Sequence, residues 1–298
     1  MNTSIRDVSR TLARRCFPPR QALLTVLAGA GMATCGQGAP LVISENFDSM
    51  GSGGTTLPAG WSAGYLGAES SSNRLTFAPY AGNGLSITNM PVAVYDGTGA
   101  LPTPNVGTIF NMGTPGGADR ALGSYPRTTP SGDHVFQLSI LNTTGGPLTE
   151  VTISYAGEQW NQAQGTSTSG PEMIRVLVST ESPTDFFQYY AQLDFTAPQQ
   201  GPNAAGNIFL DGDNPANRMV ITANITLPTA VPVNGSFYVR WHDWNDNGTS
   251  DHFLAIDDVM ITSVVPEPGA AVMLGLSLTG LCGRRLRCRR QTGKQENC

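Results

Sequence analysis

The chain has 298 residues, 17 basic and 22 acidic side chains and a formal net charge of −5 at neutral pH. Five arginines fall within the first 20 residues, and five more plus the lone lysine fall between Arg284 and Lys294. Residues 40–264 are left with six arginines against 19 carboxylates, a net charge near −13. A body this acidic lacks the basic footprint that nucleic-acid binding requires. Its lack of cysteine excludes a Cys/His metal site and a cysteine nucleophile, since Cys16, Cys35, Cys282, Cys288 and Cys298 all lie near the ends.

The first segment, residues 1–39, has the layout of a secretory signal peptide. An arginine-rich start leads into the apolar run Ala22 to Ala30, and Gly31-Met32-Ala33 places small residues where a signal peptidase cuts. Ala39 offers a second cleavage point. Arg14-Arg15-Cys16-Phe17 partly matches a twin-arginine signal, although prolines follow where that motif has an apolar residue and a lysine. Bulky Thr34 beside Cys35 makes a poor lipidation site.

Residues 40–264 alternate in period two. Phe136, Leu138 and Ile140 share one face of 134–140, and 151–155, 219–225 and 237–241 repeat the pattern. Gly-, Pro-, Asn- and Ser-rich stretches such as Gly51-Ser52-Gly53-Gly54 and Thr114-Pro115-Gly116-Gly117 separate the runs, as tight turns require. The expectation is all-β: antiparallel strands in two sheets, a jelly-roll-like β-sandwich of one domain. The sandwich is flanked by the signal peptide and by a short hydrophobic sorting helix. Trp61, Trp160, Trp241 and Trp244 fit core or rim positions.

Several blocks in this body resemble an exported bacterial jelly-roll family. They are Glu45-Asn46-Phe47-Asp48, Leu57-Pro58-Ala59-Gly60-Trp61, Asp119-Arg120-Ala121-Leu122-Gly123-Ser124 and Ile153 to Trp160. Leu210-Asp211-Gly212, Ala216-Asn217-Arg218, Arg240-Trp241-His242-Asp243 and Leu254 to Asp258 complete the set. The resemblance covers nearly all of residues 45–262. It implies a sandwich whose first and last strands lie side by side, with Phe47-Asp48 near Ile256-Asp257, and it carries no catalytic role.

Chemistry concentrates late in the body. Asp243, Asn245, Asn247, Gly248 and Asp251 are spaced as oxygen donors on a tight glycine turn, the pattern that suits Ca²⁺. Leu254 stands where an EF-hand would have glutamate, so Asp257 or Asp258 is the candidate for the missing carboxylate. An ordinary Asp/Asn/Gly turn explains the same residues. Asp211-Gly212-Asp213-Asn214 is a second such loop, and Trp244 is placed to be exposed and to stack on a sugar.

Asp257-Asp258 in a strand points one carboxylate inward, where it needs a partner such as Arg240 or Arg120. Glu158 beside Trp160, paired with Asp257 or Asp258, is the one arrangement that fits a glycosidase. No nucleophile elbow, zinc helix or phosphate loop is present in the sequence.

The tail, residues 265–298, begins with Val265-Pro266-Glu267-Pro268. The apolar run Ala270 to Cys282 and the cluster Arg284-Arg285-Leu286-Arg287-Cys288-Arg289-Arg290 follow. A helix over that apolar run spans about 20 Å, short of the ~30 Å hydrocarbon core, and the arginines stay cytoplasmic. This order of parts resembles the PEP-CTERM sorting signal, a tail also known as the ice-binding protein C-terminal domain. The resemblance implies a Gram-negative host, recognition by an inner-membrane exosortase and cleavage near Pro-Glu-Pro.

Together these features predict an exported, exosortase-processed surface or matrix protein, held in the membrane by its tail until cleavage. Its sandwich would be non-catalytic, associated with polysaccharide or surface proteins, with calcium as the cofactor. A secreted hydrolase using Glu158 is the competing expectation, and a coat component without a ligand is the third.

Overall fold

In the computed structural model, the described residues are 39–66, 86–97, 106–127, 132–163, 171–185, 187–200, 208–245 and 251–263. The segments expected to be the leader and the sorting tail, the latter with Val265, Pro266, Glu267 and Pro268, and loop residue Asn247 lie outside them. Among the described residues no helix is long and apolar enough to cross a membrane.

The period-two runs become strands, several of them longer than the alternation alone delimits. In chain order they are β1 (Val42–Glu45), β2 (Trp61–Tyr65), β3 (Thr88–Asn89), β4 (Val92–Tyr95), β5 (Thr108–Met112), β6 (Ala121–Tyr125), β7 (His134–Leu141) and β8 (Leu148–Gln162). There follow β9 (Met173–Ser179), β10 (Gln188–Tyr189), β11 (Phe195–Thr196), β12 (Ile208–Phe209), β13 (Arg218–Val231), β14 (Ser236–Asp243) and β15 (Phe253–Ser263). One sheet has the order β12-β8-β15-β6-β5-β4, with β13 also on β8 and β1 also on β15. The other has the order β10-β9-β14-β7-β2-β3, with β11 also on β9. Among the described residues pairing is antiparallel except that β4 runs parallel to β5, which corrects the all-antiparallel expectation. The first and last strands do meet, Val42 opposite Thr262 and Glu45 opposite Val259.

The core between the sheets is built on aromatic contacts. Trp61 stacks on Trp241 at 5.3 Å, Phe47 meets Trp61 edge-on at 4.9 Å, and Tyr155 meets Trp241 edge-on at 5.9 Å. Burying each such ring contributes roughly 2–3 kcal/mol. The Tyr155 hydroxyl donates to the Leu193 carbonyl at 2.6 Å, so this polar handle is satisfied. Gly157 is required beneath Phe195, where a Cβ would lie 2.2 Å from the ring.

A second apolar cluster explains why β5 and β6 are buried at every position. Leu254 and Ile256 of β15 join the inter-sheet core, while Phe253 and Ala255 join Tyr95, Phe110, Met112, Ala121, Tyr125 and Trp160. Alternation therefore puts this second cluster on the outer face of the eight-stranded sheet. The candidate site grows from that face.

Candidate functional site

Glu158, Trp160, Arg218 and Asp257 all rise from the outer face of the eight-stranded sheet. Glu158 on β8 lies directly opposite Arg218 on β13. Its two oxygens are engaged separately: Oε1 accepts from Arg218 Nε at 3.0 Å, and Oε2 accepts from Trp160 Nε1 at 3.0 Å. Arg218 also bonds the exposed Asp258 carboxylate and comes within 3.7 Å of Asp257 Oδ2. One guanidinium thus spans three carboxylates.

Geometry in β15 makes this convergence. The register of β15 against β8 shifts between Asp257 and Met260, and Asp258 adopts φ +48°. Such a bulge breaks the alternation that would send the two side chains to opposite faces. The partner of Asp257 is therefore Arg218, which corrects the expectation of Arg240 or Arg120. Arg240 donates to Gln137 and Pro183 and lies 4.0 Å over Phe187. Arg120 is held by Asn111, through its side-chain oxygen at 2.6 Å and its carbonyl at 2.7 Å.

Burial dominates the electrostatics. Glu158 is fully buried, and desolvation pushes its carboxyl up to about 7 against the lowering pull of Trp160 and Arg218. Asp257 is pushed up to about 8, first by desolvation and then by the charge of Glu158. Asp213 is raised to about 6 by burial and by its neighbours Asp119 and Asp211. The carboxyls of this corner therefore take up protons at higher pH than free ones, Asp257 highest of the three.

Beside it lies a cleft of about 220 Å³ lined by Asp96, Gly97, Thr114, Pro115, Trp160, Phe209, Leu210 and Asp211. Its walls are turns fixed by local chemistry. Gly97 ends β4 at φ +74°, and Gly117 closes a turn onto the Thr114 carbonyl at 2.9 Å. Asp211 opens a turn whose carbonyl accepts from Asn214 N at 3.2 Å and from Asn217 Nδ2 at 2.8 Å. Gly212 in that turn packs on Trp160 so closely that a Cβ would fall 2.2 Å from the indole. Phe209 is 40% exposed and Trp160 is buried at the base. An aromatic wall with carboxylates at the rim can receive the apolar face of a sugar ring and accept hydrogen bonds from its hydroxyls.

Of the other candidates, the structure sets Asp257 apart from the rest. Asp243 lies between the sheets, where its Oδ2 accepts from Ser124 at 2.6 Å. Asn245 donates from its backbone to Asp133 and from its side chain to the Arg127 carbonyl. Asp251 is buried. Asp257, held by Arg218 on the outer face, does not join Asp243. Among the described residues no three acidic, His or Cys side chains are gathered as a metal site. Trp244 is buried rather than exposed, with Arg175 3.5 Å above its ring, so it offers no stacking face.

The cleft residues Asp96 and Phe209 gave no motif in the sequence. Arg218 had two usable signals, its place in the block Ala216-Asn217-Arg218 and its being one of only six arginines in an acidic body.

No family model matches the chain, and no curated protein is significantly similar to it. Among solved structures, it is similar to the K2 cleaved adhesin domain of Lys-gingipain at 14% identity. That match covers 74% of this chain and 97% of the other, with a TM-score of 0.33. The CBM22-1 xylan-binding domain of Paenibacillus barcinonensis Xyn10C matches at 13% identity over 77% and 97%, with a TM-score of 0.30. The Stig cyclase Fisc from Fischerella sp. TAU matches at 12% over 76% and 100%, with a TM-score of 0.36. Likenesses this loose carry no ligand, reaction or partner across to this chain.

Proposed function

We propose that the sandwich is a non-catalytic carbohydrate-binding domain of an exported surface protein, and that the Asp96–Trp160–Phe209–Asp211 cleft is its sugar site. The carrying observation is the cleft itself, which part-exposed Phe209, buried Trp160 and the two acidic residues Asp96 and Asp211 line together. Its volume suits a single sugar residue held at a chain end or branch. The test is a glycan array followed by calorimetry with the best oligosaccharide. Phe209→Ala and Asp211→Asn should each weaken binding about tenfold or more in protein that still unfolds cooperatively. An array without hits, or binding untouched by both substitutions, rejects the reading.

The hydrolase reading draws on a separate observation, the meeting of Glu158 with Asp257 and Asp258 at Arg218. The binding reading is favoured because both Glu158 oxygens already hold protein donors and its side chain is buried. Glycan cleavage lost in a folded Asp257→Asn variant would reverse that preference.

Export and sorting enter this proposal through the sequence. The signal peptide directs secretion, and an exosortase cuts near Pro266-Glu267-Pro268. Loss of about the last 30 residues from the mature protein, dependent on the host exosortase, is the expected mass. The calcium proposal rests on Asp243, Asn245, Asn247 and Asp251, without Asp257. A thermal midpoint that rises with Ca²⁺ relative to chelator is its expected signature, and equal midpoints reject it.

A further inference from the structure

The edges of the two sheets are unequal. β3, β10, β11 and β12 have two residues each, and β4 has four. Short edges of this kind are how β-proteins avoid pairing with strangers. β13 has 14 residues and pairs, among the described residues, with β8 alone.

The two halves of β13 differ. Its second half is guarded: the register is irregular between Thr226 and Val231, Pro228 interrupts it, and Tyr190 donates its hydroxyl to the Thr226 carbonyl at 2.5 Å. Its first half, Met219 to Ile225, contains no charge, proline or glycine. Met219 is 42% exposed and Val220 63% exposed. This neutral strand lies on a body of charge near −13, so like charge is absent where the strand would meet its copy.

We infer that the first half of β13 is a self-pairing edge, on which a second copy of the chain adds its own β13 antiparallel across a two-fold axis at Thr222. The sequence is self-complementary in that register. Thr222 faces Thr222, Val220 faces Asn224, Ile221 faces Ala223, Met219 faces Ile225, and Arg218 faces Thr226. Ile221 and Ile225 belong to the inter-sheet core, so apolar positions meet apolar positions on the inner side of the joined sheet. Thr222, Asn224 and the exposed Val220 meet on the outer side. No two like charges are opposed, and the pairing ends before the bulge and Pro228. A symmetric contact of this type closes as a dimer and leaves no further edge of its kind.

The test is sedimentation velocity on the full chain from dilute to concentrated solution, with charge-swapped variants at the axis. The wild type should pass from monomer to dimer. Thr222 is exposed and its hydroxyl contacts only Ser154 at 2.7 Å, so it accepts replacement in the monomer. Thr222→Lys and Thr222→Glu should each remain monomeric, because like charges then face each other across the axis. An equimolar mixture of the two should dimerise, and neutral Thr222→Asn should dimerise as the wild type does. If the charged variants fail to fold, hydrogen exchange of wild-type residues 219–225 decides, since their amides should slow as concentration rises. A wild type that stays monomeric, association that persists in Thr222→Lys alone, a mixture that fails to pair, or exchange indifferent to concentration would each overturn the inference.

Discussion

Replacing Arg218 by methionine removes the cation that faces Glu158, Asp257 and Asp258 together, while keeping most of its apolar stem. The cost should depend on pH. At pH 6, Glu158 (raised to about 7) and Asp257 (raised to about 8) both hold protons, so Arg218 has little charge there to offset. Its pair with Asp258, which is 59% exposed at the side chain, is worth at most about 1 kcal/mol in water. The variant should then lose about 1–2 kcal/mol, the worth of the hydrogen bond to Glu158. At pH 9 both buried carboxyls are ionised, and removing their counter-ion leaves uncompensated buried charge, a loss of about 3–5 kcal/mol. Urea unfolding at the two pH values, with m-values compared to confirm two-state behaviour, reads the difference directly. Equal losses at pH 6 and pH 9 would refute the placement of protons on this network.

The same network sets the pH dependence of the wild type. Raised carboxyls hold protons in the folded state that the unfolded chain releases, so stability falls as pH climbs towards 8, by on the order of 3 kcal/mol for Glu158 alone across its window. His134, lowered to about 4 by burial, works oppositely between pH 4 and 6.5, so the net decline should stand out above pH 6.5. Asp257→Asn, which removes the carboxyl that titrates highest, should flatten that decline in thermal melts, and an unchanged slope would reject the assignment. Gly157→Ala drives a Cβ to 2.2 Å from the Phe195 ring and should lower stability by about 3 kcal/mol in denaturant titration. Tyr155→Phe leaves the Leu193 carbonyl without its hydroxyl donor and should lower stability by about 1–2 kcal/mol in the same assay.

The fold was legible where a local rule has one outcome. Phe136, Leu138 and Ile140 alternate because one side of β7 meets the other sheet, and all three are in the inter-sheet core. The pairing of β1 with β15 was also foreseen, from the resemblance rather than from any periodicity. The parallel pairing of β4 and β5 was not legible, because the alternation of a four-residue strand, Val-Ala-Val-Tyr, does not tell parallel from antiparallel pairing. The burial of Trp244 escaped for a related reason. A tryptophan in a polar stretch reads as exposed until Arg175, remote in sequence, is laid across its face.

The candidate site was illegible at one joint, and the cause is local. β15 pairs with β6 through Leu254 to Ile256 and with β1 from Val259 onward. The strand changes neighbour at Asp257-Asp258, and the bulge takes up the mismatch by putting Asp258 in the left-handed region, which aspartate tolerates better than most residues. Strict alternation predicts one buried acid and one unrelated exposed acid. The bulge instead delivers both to Arg218, which reaches them across β8 from β13. The same arginine begins β13 immediately after the Asp211–Asn217 turn that walls the cleft and lays Gly212 on Trp160. Trp160 in turn donates to Glu158. The cleft floor, the cleft wall and the buried carboxyls are therefore one hydrogen-bonded unit, and a change in the charge of Glu158 acts directly on the indole that forms the base of the cleft.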